Sequence, residues 1–93
     1  MNTKINSRIE LPSEVLRNLS VLYSTPAGTV VGDREFGIDM SLQDLPIHSA
    51  QVSLIAEYTT KTKLYEPRAK VSEVHFGYTD DGILESKVVI DWN

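Results

Sequence analysis

Four prolines divide this 93-residue chain, and no other feature limits its folding as tightly, because each proline fixes φ and removes a backbone donor. Pro12 and Pro46 stand where a helix can begin, since a missing N–H costs nothing in a first turn. Pro26 and Pro67 stand where a helix has to end, because the residue before a proline resists the α conformation. Between Pro12 and Pro26, Val15, Leu16, Leu19, Leu22 and Tyr23 recur at the helical period. The spacing predicts a first helix that Ser13 caps, with Glu14 favourable to its dipole and Thr25-Pro26 as its stop. Between Pro46 and Pro67, the stripe Ile47, Ala50, Leu54, Ile55, Tyr58, Thr62 and Tyr65 predicts a second helix ending by Glu66.

The segment between the helices is punctuated by Gly28, Gly32 and Gly37, which point to turns; Thr29-Val30-Val31 is a candidate short strand. Ser41-Leu42-Gln43-Asp44 resembles a capping box and predicts a single helical turn. The last third is extended. Ala69 and Val71 share one parity and Val74, Phe76 and Tyr78 the other, a phase switch that a β-bulge produces. Asp80-Asp81-Gly82 supplies a turn, and Leu84, Ser86, Val88, Ile90 and Trp92 then alternate cleanly with Glu85, Lys87, Val89 and Asp91. The expectation is one α+β domain over residues 1–93: two helices packed on one face of a small, mainly antiparallel sheet with a C-terminal β-hairpin. Residues 1–11 read as an N-terminal arm or a short edge strand, with a free edge expected along Lys87–Asn93.

Composition then removes whole classes of function. Without cysteine there is no disulfide, thiolate zinc site or Cys nucleophile. The apolar runs are too short to span a bilayer, and residues 1–11 lack the apolar region of a secretory signal. Net charge is -4, with acids exceeding bases in both halves, so nucleic-acid and anionic-membrane partners are not expected. His48 and His75 lie 27 residues apart with no ligand spacing around them, and no cofactor or metal is expected. The serines lack a glycine elbow, and the glycines do not match a dinucleotide fingerprint. Asp33, Glu35, Asp39, Asp44 and Glu66 could in principle supply the carboxyl pair of a glycoside hydrolase, although 13 acidic residues bring several together by chance.

Glu66-Pro67-Arg68 is the most informative triplet. It falls at the helix-to-strand junction and places a carboxylate at the negative end of a helix dipole. A guanidinium two residues later is the obvious compensation, whether as a plain surface ion pair or as part of a site.

Three segments together resemble one family. They are Leu22-Tyr23-Ser24-Thr25-Pro26-Ala27-Gly28-Thr29-Val30-Val31, Arg34-Glu35-Phe36-Gly37-Ile38-Asp39 with Leu42 and Leu45, and Tyr65-Glu66-Pro67-Arg68 before a hairpin. In order and separation they are similar to the gene-twenty-five-like baseplate wedge proteins of contractile phage tails, which include the type VI secretion subunit TssE. The resemblance covers roughly residues 13–92. It implies a fold similar to the strand-exchanging domain of tail sheath proteins, and a non-enzymatic role as wedge component and sheath initiator. Synthesis in the bacterial cytoplasm and assembly, in several copies, into a virion or tailocin-like particle are also implied. The partners implied are larger wedge proteins, docked at Glu66, Pro67 and Arg68 with Phe36 and Gly37 in support, and the tail sheath protein. Sheath subunits would add by β-augmentation along the last strand, where Val88, Ile90 and Trp92 lie, with Trp92 as an interface anchor. Tyr65 departs from the pattern, standing where many members carry Trp. Some members carry a lysozyme label, and an anti-adapter branch shares the fold; these give a peptidoglycan hydrolase and an anti-adapter as the alternatives.

Overall fold

The computed structural model describes residues 2–7 and 10–92, the side chains of Asn2 and Trp92 excepted. Along the chain run β1 (Asn2–Ser7), α1 (Ser13–Ser24), a 3-10 turn (Met40–Asp44), α2 (Ile47–Tyr65), β2 (Ala69–Tyr78) and β3 (Leu84–Trp92). The prolines punctuate both helices as expected, but Pro12 and Pro46 occupy the N-cap positions themselves. Their carbonyls accept the first helical bonds, from Leu16 N at 3.0 Å and Ala50 N at 2.8 Å. Ser13 is therefore the first helical residue and not the cap expected of it, and α1 has no side-chain cap. The 3-10 turn is capped by Asp39, which accepts from Ser41 N at 3.1 Å and Ser41 Oγ at 2.6 Å, in place of the expected box.

The sheet has the order β1-β3-β2. β2 and β3 form the antiparallel hairpin, with a register shift between Val71 and Glu73 where the phase of the sequence switches. Its turn places Gly82 at φ 81° and closes with Thr79 N to Ile83 O at 2.9 Å. β1 pairs parallel to β3, from Asn2 opposite Glu85 to Ser7 opposite Ile90. β3 is thus the central strand, and the free edge expected along Lys87–Asn93 is occupied by β1 over Lys87–Ile90. The run Val88, Val89 and Ile90, each at most 8% exposed, is the pattern of a strand flanked on both sides.

Both helices cover one face of this sheet. Val15, Leu19, Leu22 and Tyr23 of α1 meet Leu54 and Tyr58 of α2 over Leu84, Val88 and Ile90 of β3. Leu16, Ile47 and Ile55, expected in the core, are 42%, 47% and 41% exposed. Two helices on three strands bury only a narrow stripe each, and these residues flank it. Polar groups inside are satisfied: Tyr23 Oη and Thr62 Oγ1 share a 2.5 Å hydrogen bond, and Tyr58 Oη reaches Thr3 Oγ1 of β1 at 3.1 Å. Burial pushes the Tyr23 phenol up to about 12, and its ring meets Tyr58 edge-on at 5.2 Å.

The expected strand at Thr29–Val31 does not form, and Val31 is fully exposed. The connection is instead closed by a bridge between Pro26 and Ile38, with Ala27 N to Ile38 O at 2.8 Å and Ile38 N to Thr25 O at 2.9 Å. Gly37 makes this closure possible. Its φ of 103° and its approach to the Thr25 carbonyl, where a Cβ would collide, admit no side chain. Gly37→Ala should therefore destabilise the fold by about 2–3 kcal/mol, read from urea unfolding. An unchanged midpoint would show that the bridge relaxes without cost.

Candidate functional site

The corner between α2 and β2 is built by the need to end a helix under Pro67. Glu66 leaves the helical conformation at φ -141° and ψ 71°, its N–H bonds Thr62 O at 2.8 Å, and Ala69 N returns to Glu66 O at 3.0 Å. That tight turn points the Glu66 side chain inward, leaving the residue 4% exposed. Its carboxylate accepts from Arg68 Nε at 2.7 Å, from Arg68 Nη2 at 3.3 Å, and from Asn18 Nδ2 of α1 at 3.1 Å. Arg68 also lies 3.9 Å from Glu14 of α1. One charge network therefore ties the start of α1, the end of α2 and the start of β2.

The electrostatics follow from those bonds. The Arg68 hydrogen bond holds the Glu66 carboxyl below its ordinary value, against the opposing effect of burial and with help from Asn18. The same bond raises the Arg68 guanidinium. Beside this pair, Tyr65 Oη donates to Asp33 Oδ1 at 2.9 Å and its ring meets Phe36 edge-on at 5.0 Å. Desolvation and that donated bond hold the Tyr65 phenol up to about 12. The Lys61 ammonium bonds the Glu35 carbonyl, so the 33–38 segment is clamped to α2 at two points. Phe36, Tyr65 and Glu66, with Asn18, Val21 and Leu22 of α1, line a groove of about 220 Å³.

Of the residues singled out in the sequence, Glu66, Pro67, Arg68 and Phe36 come together at this corner, and Gly37 holds the Phe36 segment in place. Val88 and Ile90 do not join them. Both are 0% exposed core residues of the central strand, so β3 offers them to the helices and not to a partner. The Trp92 backbone pairs with Ala69, and its side chain lies outside the described residues. Sequence reasoning missed Asn18, the approach of Glu14 to Arg68 and the Tyr65–Asp33 bond. Asn18 left one signal, being a poor helix former in the middle of a helix. His75 pairs with Glu73 at 3.0 Å and His48 is exposed. Among the described residues no three His, Cys, Asp or Glu side chains group as metal ligands, and no helix is long and apolar enough to cross a membrane.

No protein-family model and no curated protein matches the chain. Among solved structures, it is similar to a chain of the pyocin R2 baseplate in its postcontracted state, determined by cryo-EM. The TM-score is 0.75 at 18% sequence identity, over 91% of this chain and 88% of that one. At that identity the shared property is the fold. The α+β fold expected from the sequence is the one the chain adopts, and that baseplate chain shares it.

Because the folded Glu66 pKa is depressed, its contribution to stability is complete above the ordinary value of 4.5 and is lost as pH falls through the lower folded value. Between about pH 5 and about pH 3 the urea midpoint of the wild type should fall more steeply than that of Glu66→Gln. Parallel pH profiles would exclude Glu66 as a source of acid sensitivity.

Proposed function

We propose that this chain is a structural, non-enzymatic component of the baseplate of a contractile phage tail or phage-tail-like particle. The observation that carries the reading is the fold shared with a pyocin baseplate chain over nine-tenths of the sequence. Within that role, the Glu66-Pro67-Arg68 corner and the Phe36 groove dock on larger wedge proteins. The corner suits docking because it is rigid: one carboxylate fixes three elements, while Pro67 stays exposed and the Arg68 side chain is 51% accessible. Rigid, preorganised contact groups bind with less ordering cost.

Sheath initiation by strand addition belongs to the same reading, with its place moved. β2 is an edge strand of ten residues, and among the described residues no strand pairs along its outer side. A long open edge is a liability that a partner strand removes. The outward face of α2 supports an assembled state as well, since Val52 is 69% and Ile55 41% exposed on it. The hydrolase alternative loses ground on chemistry. A general acid needs a raised pKa, whereas the most buried carboxylate, Glu66, is held low by Arg68.

The test is co-purification with the wedge and sheath proteins encoded beside this chain. Arg68→Ala alone would leave Glu66 buried with Asn18 as its one side-chain donor of the three, so it perturbs folding too. The double variant Glu66→Gln/Arg68→Met removes both charges together and leaves no orphaned ion. It should stay folded by circular dichroism and lose the wedge complex. A folded double variant that still binds would overturn the docking role of the corner, and a wild type that binds neither protein would overturn the baseplate reading.

A further inference from the structure

Among the described residues Val31 is the most exposed large apolar side chain, 100% accessible against 69% for Val52, the next in order. Its backbone is nevertheless fixed. Asp33 N bonds Val30 O at 3.2 Å and closes a four-residue turn, and Gly32 in the third place has φ 87°, the arrangement of a type II turn. Behind the turn, Gly28 N bonds Arg34 O at 2.8 Å and Thr29 Oγ1 bonds Pro26 O at 2.7 Å. Three side chains of α2 strap down the residues that follow: Tyr65 bonds Asp33, the Lys61 ammonium bonds the Glu35 carbonyl, and Glu57 accepts from Asp39 N at 2.7 Å.

A valine in that place does nothing for the isolated chain. The second position of such a turn suits proline, and turns are built mainly from Gly, Pro, Asn, Asp and Ser. The Val31 isopropyl group serves neither the turn nor the core, since it packs on nothing. An exposed valine alone would mean little. One held out on a braced turn is a preorganised contact, whose ordering cost falls on folding and not on binding. The residues from Thr29 to Gly32 carry no charge, so covering them strips no ion of its water.

Position supplies the second argument. Two residues of extended chain reach at most about 7 Å, so Val31 stands close to Asp33, whose carboxylate holds the Tyr65 hydroxyl. Tyr65 lines the aromatic groove together with Phe36 and with Val21, itself 49% exposed. Turn and groove therefore make one margin of the molecule, convex at Val31 and concave at Phe36.

We infer that the Val30–Asp33 turn is a second contact of the same docking surface, with the Val31 side chain seated in an apolar socket of the wedge protein that covers the Phe36 groove. The inference rests on the baseplate reading for the identity of the partner; the apolar, valine-sized socket follows from the turn. A valine that passes from full exposure to burial contributes on the order of tenfold or more in affinity.

The experiment measures binding of the full chain to the wedge protein encoded beside it, with Val31→Thr and Val31→Asp as variants. Threonine keeps the branching of valine and adds a hydroxyl, so it preserves the turn and weakens only an apolar contact. Both variants should melt with the wild type, because Val31 packs on nothing in the free chain. Val31→Thr should bind several-fold more weakly, and Val31→Asp at least about tenfold more weakly. Methyl NMR of the labelled chain gives an independent readout. A soluble paramagnetic probe should broaden the Val31 methyls in the free chain and leave them sharp in the complex. Wild-type affinity in both variants, or Val31 methyls as accessible in the complex as outside it, would overturn the inference and leave the baseplate reading intact. Protection of those methyls in the chain alone at high concentration would also overturn it, by assigning the turn to a second copy. A wild type that binds no wedge protein removes both readings.

Discussion

A carboxylate buried at the carbonyl end of a helix is unfavourable twice over, and the fold is organised around relieving it. Glu66 sits at the end of α2 and is 4% exposed. Left alone, a charge in that position would be costly by desolvation and by the dipole together. Its donors come from outside the helix, Asn18 from α1 and Arg68 from the turn that leads into β2. Satisfying one charge therefore fixes the approach of α1 to α2 and the direction in which β2 departs. A purely apolar contact at the same point would bury area without setting an angle. Hydrogen bonds to a charged group are directional and costly to leave unmade.

The central strand does for the core what Glu66 does for the corner. With β1 on one side and β2 on the other, β3 presents Leu84, Val88 and Ile90 to both helices. Every outward-looking task then falls to the flanks. β2 keeps an edge, the α2–β2 corner keeps Pro67 and Arg68 accessible, and the outer face of α2 keeps Val52 and Ile55. Separating a buried centre from exposed margins lets the margins change for binding without loosening the core. That division suits the structural role proposed above.

Local rules made most of the fold readable in the sequence. The prolines bounded both helices, the parity switch between Val71 and Val74 marked the bulge, and the Gly82 turn marked the hairpin. What failed was long-range. Residues 2–7 carry only a weak alternation, so nothing local says that they pair parallel to a strand some 80 positions away. That single pairing moved β3 from the edge to the centre and took Val88 and Ile90 out of the surface. The glycine segment misled for a related reason. Its closure depends on Gly37 passing close to the Thr25 carbonyl, a contact that no spacing announces, and so a bridge replaced the expected strand. At the site, Glu66 and Arg68 were readable as a pair because they are two residues apart. Asn18 was hidden because it is 48 residues from its partner.

Charge explains why the margins, more than the protein as a whole, decide what can bind. A chain of net charge -4 would be repelled by any like-charged neighbour if charge acted at long range. Under physiological salt, fields between exposed groups fade over about 8 Å, so a partner responds to the few groups it touches. The two grooves beside the corner differ in that local sense. One is floored by Phe36, Tyr65 and Leu22 with Arg17 and the Glu66 carboxylate among its lining, and the other, between the end of α2 and the start of β2, is lined by Thr59, Thr62, Pro67, Arg68 and Val71. Pro67 and Arg68 border the second groove, while Glu66 lines the aromatic one. A helix stop of three residues thus gives one small domain two chemically distinct faces, and two different neighbours can be told apart across it.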